Sequence, residues 1–152
     1  GGVGIVCAMW WLYFAEPTGQ FVSDARERFE ARNPRGAYAW GYGHFAIYMA
    51  TAAVGAGIAA VVDVAADESH TSMTTSTLAV AVPVTVYLLC MMLLHWRTRA
   101  PGHQAAYLVC AVAVMVYGAL GLSIIGLGIL LAVLVGYVAL AGRAPRALRP
   151  TR

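Results

Sequence analysis

The sequence predicts an all-α integral membrane protein of about five transmembrane helices, the first of them truncated, with the N-terminus outside and the C-terminus cytoplasmic. Three observations carry this expectation. Of the 152 residues, 61% are hydrophobic and 11% charged, whereas soluble domains run nearer about a quarter charged. The charges are bunched, so that residues 104–142 contain no Asp, Glu, Lys or Arg. The basic residues also fall only in alternate connections, which fixes an orientation. Such a composition excludes a soluble enzyme domain, a nucleic-acid-binding module and a disordered tail. Residues 1–152 read as a single polytopic domain whose first partner is the lipid bilayer.

The first apolar stretch, 1–15, has no charge and would measure ~22 Å as a helix, short of a ~30 Å hydrocarbon core. It lacks the basic region that opens a signal peptide, and it begins without Met. The expectation is a chain that starts partway along a helix, a fragment of a longer protein whose further N-terminal helices would pack against it. Apolar spans follow at 38–62 and 76–95. The uncharged block 104–142 would be ~58 Å as one helix, about twice the core thickness. Gly118, Gly121 and Ser123 supply a break, giving spans at 105–122 and 124–141.

Charge tests this division independently. Arg26, Arg28, Arg32 and Arg35 lie between the first two spans, Arg97 and Arg99 between the third and fourth, and Arg143, Arg146, Arg149 and Arg152 in the tail. The connection 63–75 has no Lys or Arg and carries Asp63, Asp67 and Glu68. Cytoplasmic loops collect Lys and Arg, and five spans place every Arg on that side. Trp10, Trp11, Tyr13, Tyr38, Trp40, Tyr42 and Trp96 then gather at the cytoplasmic interface, where amphipathic rings prefer to lie. All ten bases are Arg, which points to a GC-rich bacterial genome and the bacterial plasma membrane. Segment 21–32 reads either as an interfacial amphipathic helix, with Phe21, Ala25 and Phe29 on one face, or as a solvated linker. Cys7, Cys90 and Cys110 lie inside apolar runs as small core residues.

Candidate chemistry concentrates on the second span. Gly41, His44, Tyr48, Thr51 and Gly55 recur at helical spacing and form one stripe. Small and hydrogen-bonding residues mark packed faces in membranes, so the stripe is expected to face the bundle, with Gly41 and Gly55 as packing positions and Ile47, Met49 and Ile58 toward apolar surroundings. Counted from residue 38, His44 lies ~10 Å deep. A titratable residue there is either a functional group or a neutral hydrogen-bonding joint between helices. Glu16 leaves the first span where His44 enters the second, so the pair suits a proton relay, or Glu16 is simply solvated. Asp63, Asp67, Glu68 and His70 read as a solvated acidic loop or, less specifically, a cation site. His95 and His103 are expected in water, and Tyr87 and Cys90 as packing beside a kink at Pro83. No cofactor fingerprint, nucleophile elbow or metal motif occurs.

Trp10-Trp11-Leu12-Tyr13-Phe14, an Arg-containing connection, Tyr42-Gly43-His44-Phe45 and Ala53-Val54-Gly55-Ala56-Gly57 together resemble the bacterial low temperature requirement protein A family (LtrA) of polytopic membrane proteins. The informative match covers about residues 8–65. The resemblance implies the C-terminal portion of a longer inner-membrane protein linked to growth in the cold, and it carries an intramembrane His onto His44. Family members place an acid directly after W-W-x-Y-F. Here Ala15 stands there and Glu16 follows, a shift of ~100° around a helix. No molecular activity comes with the resemblance.

Two functions follow from these residues. One is transport or ion conduction, with His44, Glu16, Tyr48 and Thr51 along a pathway. The other is a structural or stress-adaptation membrane protein, a homo-oligomer in one variant, in which His44 only joins helices. An intramembrane enzyme using His44 as a base lacks a nucleophile, an oxyanion donor and a metal partner, so the chain reads as a non-enzyme.

Overall fold

The computed structural model describes residues 1–15, 34–68, 70–94 and 101–143. Among these residues every regular element is a helix: α1 (Gly2–Phe14), α2 (Pro34–Ala65), α3 (Met73–Leu94), α4 (Pro101–Ala119) and α5 (Ile124–Arg143). Four of them contain stretches long and apolar enough to cross a bilayer, namely Tyr42–Ala65, Met73–Leu94, Gly102–Ala119 and Ile124–Ala141. α1 is a shorter apolar helix. Helices suit this environment because they satisfy their own backbone hydrogen bonds where water cannot. The segment 21–32, His95, Trp96, Arg97 and Arg99 lie outside the described residues.

The turns form where special backbone geometry is available. The uncharged block breaks after Ala119, and Gly121 there takes φ +64°, the left-handed region that glycine enters at least cost. α2 ends in a Schellman turn: Glu68 N–H donates to the Asp63 carbonyl at 2.9 Å and Asp67 N–H to that of Val64 at 3.2 Å. Asp67 occupies the left-handed position of this motif, with φ 61°, a place usually taken by Gly. Ser72 caps α3, its hydroxyl accepting from Thr75 N–H at 3.2 Å.

Consecutive helices pack antiparallel. A methyl group added at Gly57 of α2 would run into the Ala79 carbonyl of α3, while one at Gly43 would touch Leu94. Gly118 of α4 sits against Ala81 of α3, and Thr85 of α3 donates to the Ala111 carbonyl of α4 at 3.4 Å. Gly126 of α5 faces Tyr117 of α4. α1 then runs parallel to α5, with Gly1 against Ile124 and Ile125, and antiparallel to α2, with Gly2 against Ile58. The core contains Ile5 and Leu12 of α1, Val54 of α2, Val80, Val84 and Leu88 of α3, Val114 of α4, and Leu127 and Leu131 of α5. Of the cysteines, Cys110 is buried, Cys90 half-buried and Cys7 exposed, so the core expectation holds fully for one of the three.

The seam by which α2 packs corrects the sequence expectation. Gly43, Ile47, Ala50, Val54, Gly57 and Val61 turn inward, Ile47 being 2% exposed. This is the predicted stripe displaced by one residue, a rotation of about 100°. Thr51 and Gly55 are exposed, and nothing lies within 4 Å of a methyl built on Gly55. Gly55 therefore packs no neighbouring described helix. The environment of Gly41 lies outside what is described. Met49 is exposed as expected, Ile58 is half-buried and Ile47 is fully inside. Branched aliphatic side chains fill a dry interior better than Tyr or His, whose polar atoms need partners there.

Pro83 explains why Gly57, and not Gly55, takes the packing role. Proline has no N–H to donate one turn back, so the Ala79 carbonyl of α3 lacks its usual helical donor. A Cβ at position 57 would fall on that carbonyl, so the two backbones approach this closely only with glycine there.

Candidate functional site

The site is assembled by the end of α1 and the start of the apolar part of α2. Tyr13, one residue before the last of α1, faces two residues of α2 at once. Its hydroxyl lies 3.2 Å from that of Tyr48, and its ring meets the His44 ring edge-on, with centroids 6.2 Å apart and planes at 85°. Edge-to-face contacts of this kind are favourable because a positive ring edge meets a negative face. Phe14 stacks edge-on to Tyr13 at 4.9 Å, and Trp10 sits 5.1 Å from Phe14. The result is a chain of aromatic rings at the end of α1 that meets the imidazole through Tyr13.

His44 is half-buried and Tyr48 is 60% exposed. The cluster therefore lies along the outer side of the α1–α2 contact, away from the axis of the bundle. Because the apolar stretch of α2 begins at Tyr42, His44 stands ~3 Å inside it, shallower than the depth counted from residue 38. Thr51 donates its hydroxyl to the Ile47 carbonyl at 2.9 Å, a bond within its own helix. Of the predicted residues, His44 and Tyr48 are thus brought together, Thr51 continues their face one turn on, and Glu16 lies outside the described residues. The spans from which Glu16 and His44 were expected to approach do meet, at Tyr13.

Two residues were missed. Tyr13 was expected only as an interfacial aromatic, although its place in Trp-Trp-Leu-Tyr-Phe one helix before His44 was a usable signal. Tyr87 of α3 was expected only to pack; it is 2% exposed and donates its hydroxyl to the Met9 carbonyl of α1 at 2.6 Å. A tyrosine deep in an apolar helix needs an acceptor, but nothing in the sequence says which.

Elsewhere, His103 and Tyr137 form a ring contact at 5.9 Å between α4 and α5, so His103 is half-buried rather than fully in water. Among the described residues no three His, Cys, Asp or Glu side chains come together as a metal site. Asp67 serves the Schellman turn described above.

Neither a curated protein nor a solved structure gives a significant match to the chain. The family model for the bacterial low temperature requirement A protein (LtrA) matches residues 1–141, well beyond the 8–65 in which the resemblance was legible. The match takes in α1 to α4 and all but the last two residues of α5, and by it the chain belongs to the LtrA family.

Proposed function

We propose that this membrane protein carries a transport or ion-conducting role, with His44 as a titratable pathway group flanked by Tyr13 and Tyr48. The observation that supports this is that Tyr13 of α1 meets both the His44 ring and, one turn on, the Tyr48 hydroxyl of α2 near the end of an apolar helix. Ionisable residues within membrane helices are costly, and they mark pathways in many membrane proteins. Glu16 follows Phe14, the last residue of α1, two places on in the sequence.

In this reading the five helices alternate across a bacterial plasma membrane, the N-terminus outside and the C-terminus in the cytoplasm, as the Arg distribution requires. Further helices of the same protein, or a second copy, pack on the remaining surface. The protein serves growth in the cold and performs no covalent chemistry.

A second reading is favoured by a different observation. The Tyr48 hydroxyl already has a partner on another helix, Tyr13 of α1, as expected if this face holds helices together and His44 is structural. His44→Gln separates the two, because glutamine keeps a donor and an acceptor but does not titrate. The pathway reading expects a Gln protein that accumulates normally yet loses pH-dependent activity or cold-growth complementation. Full complementation by His44→Gln sinks it. Loss of the folded protein assigns His44 to helix contact, expected to be worth ~0.6–2 kcal/mol in a membrane.

A further inference from the structure

The Tyr13–His44–Tyr48 cluster depends on where α1 stands. α1 is the shortest of the five helices, and it packs along α5 rather than along α2. A 13-residue helix held on one side by apolar contacts is free to slide or rotate unless something directional fixes it. In hydrocarbon surroundings the directional contact is a hydrogen bond, which water does not compete for.

The structure provides one such bond from the bundle interior. The Tyr87 hydroxyl donates to the Met9 carbonyl at 2.6 Å. In an α-helix the carbonyl of residue 9 also accepts the N–H of residue 13. Tyr87 therefore grips the very turn of α1 that carries Tyr13. Met9 is 3% exposed and Tyr87 2%, so the joint is dry, whereas the Tyr13–Tyr48 pair it supports is exposed. The ring of Tyr87 fills core volume beside Leu88 and Met91, and phenylalanine would fill nearly the same space. What the hydroxyl adds is a fixed height and rotation for α1.

We propose that Tyr87 is a positioning residue for His44: by holding the Met9 carbonyl it places the Tyr13 ring edge against the imidazole and the Tyr13 hydroxyl against Tyr48. The functional weight of this arrangement rests on the reading of His44 as a pathway group, but the geometric claim is tested without it.

The test is NMR of the chain in lipid nanodiscs with 13C-labelled imidazoles, the His44 signals being assigned by their loss in His44→Gln. Tyr13→Leu removes the neighbouring ring and defines how far its ring current displaces the His44 resonances. Tyr87→Phe is expected to move these resonances in the same direction as Tyr13→Leu. Tyr87→4-aminophenylalanine, which keeps a donor, is expected to restore the wild-type positions. Val80→Ala, a cavity in the same helix, controls for destabilisation and should leave them in place. Folded Tyr87→Phe protein with wild-type His44 signals overturns the proposal, as does an equal displacement in Val80→Ala. Should the Phe protein fail to accumulate, Tyr87→4-fluorophenylalanine fills the space of the hydroxyl without donating and supplies the same comparison. A His44→Gln protein with full activity would remove the pathway reading and leave this result standing.

Discussion

Gly55 and Gly57 lie two residues apart on α2, and alanine at the two positions should have opposite consequences. A methyl at Gly57 would lie 2.6 Å from the Ala79 carbonyl carbon and 2.9 Å from the Val80 nitrogen, and would overlap the carbonyl oxygen. All three are backbone atoms, so no side chain can rotate away. Carbon atoms prefer ~3.5 Å or more, and reaching that separation requires α2 and α3 to part by about 1 Å. Overpacking of this kind costs about 1–3 kcal/mol. At Gly55 the same methyl meets nothing within 4 Å, and alanine gains about 0.5–1 kcal/mol of helix propensity. The propensity gain is common to both sites and cancels in their difference. Gly57→Ala should therefore be about 1–3 kcal/mol less stable than Gly55→Ala. SDS-induced or thermal unfolding of the two purified variants in one detergent measures that difference. Equal stability would refute the claim that a Pro83-freed carbonyl and a glycine form the joint between α2 and α3.

The two left-handed residues should respond in opposite directions. Gly121→Ala both strains a backbone at φ +64° and sets a methyl 2.5 Å from the Thr74 hydroxyl oxygen, so a loss of about 1–2 kcal/mol is expected. Asp67→Gly relieves a non-glycine residue at φ 61° and should stabilise by about 0.5–1 kcal/mol; the same unfolding assay checks both, and stabilisation by Gly121→Ala contradicts the turn assignment. For topology, a cysteine introduced at exposed Glu68 in a background without the native thiols should react with an impermeant reagent in intact cells. One at Thr151 should react only after permeabilisation, and labelling of both in intact cells would leave the five-span arrangement untenable.

The division into helices was legible because it depends on quantities a sequence displays directly. The length of uncharged runs set the spans, and Gly121 marked the hairpin that separates α4 from α5. The rotation of α2 was not legible. Two stripes one residue apart, 41-44-48-51-55 and 43-47-50-54-57-61, both keep helical spacing and both contain glycine. Choosing between them requires knowing that α3 offers a bare carbonyl at Ala79. That follows from Pro83, but only once Gly57 is known to lie opposite. The site was half legible for the same reason. His44 and Tyr48 were found by type and spacing, whereas Tyr13 and Tyr87 act through contacts between residues 35 and 78 positions apart, which no local pattern encodes.

The rotation also changes what a function at this face would require. With Gly43, Ile47, Ala50 and Val54 committed to packing, the polar stripe is carried round to the contact with α1. Tyr48 reaches Tyr13 there, and Thr51 bonds its own helix, so these hydroxyls meet lipid or a further helix with partners already in place. The titratable group of the stripe is the imidazole of His44. Its surroundings are governed from two directions, by its place on α2 beside the seam that packs on α3 and by Tyr13 on a helix that α3 holds through Tyr87. His44→Gln removes the titration and leaves that frame intact, while Tyr87→Phe disturbs the frame and leaves the imidazole. If a pathway runs here, both changes reduce its activity but only the second displaces α1. If His44 is a structural joint, neither change alters a pH response, while Tyr87→Phe still displaces α1.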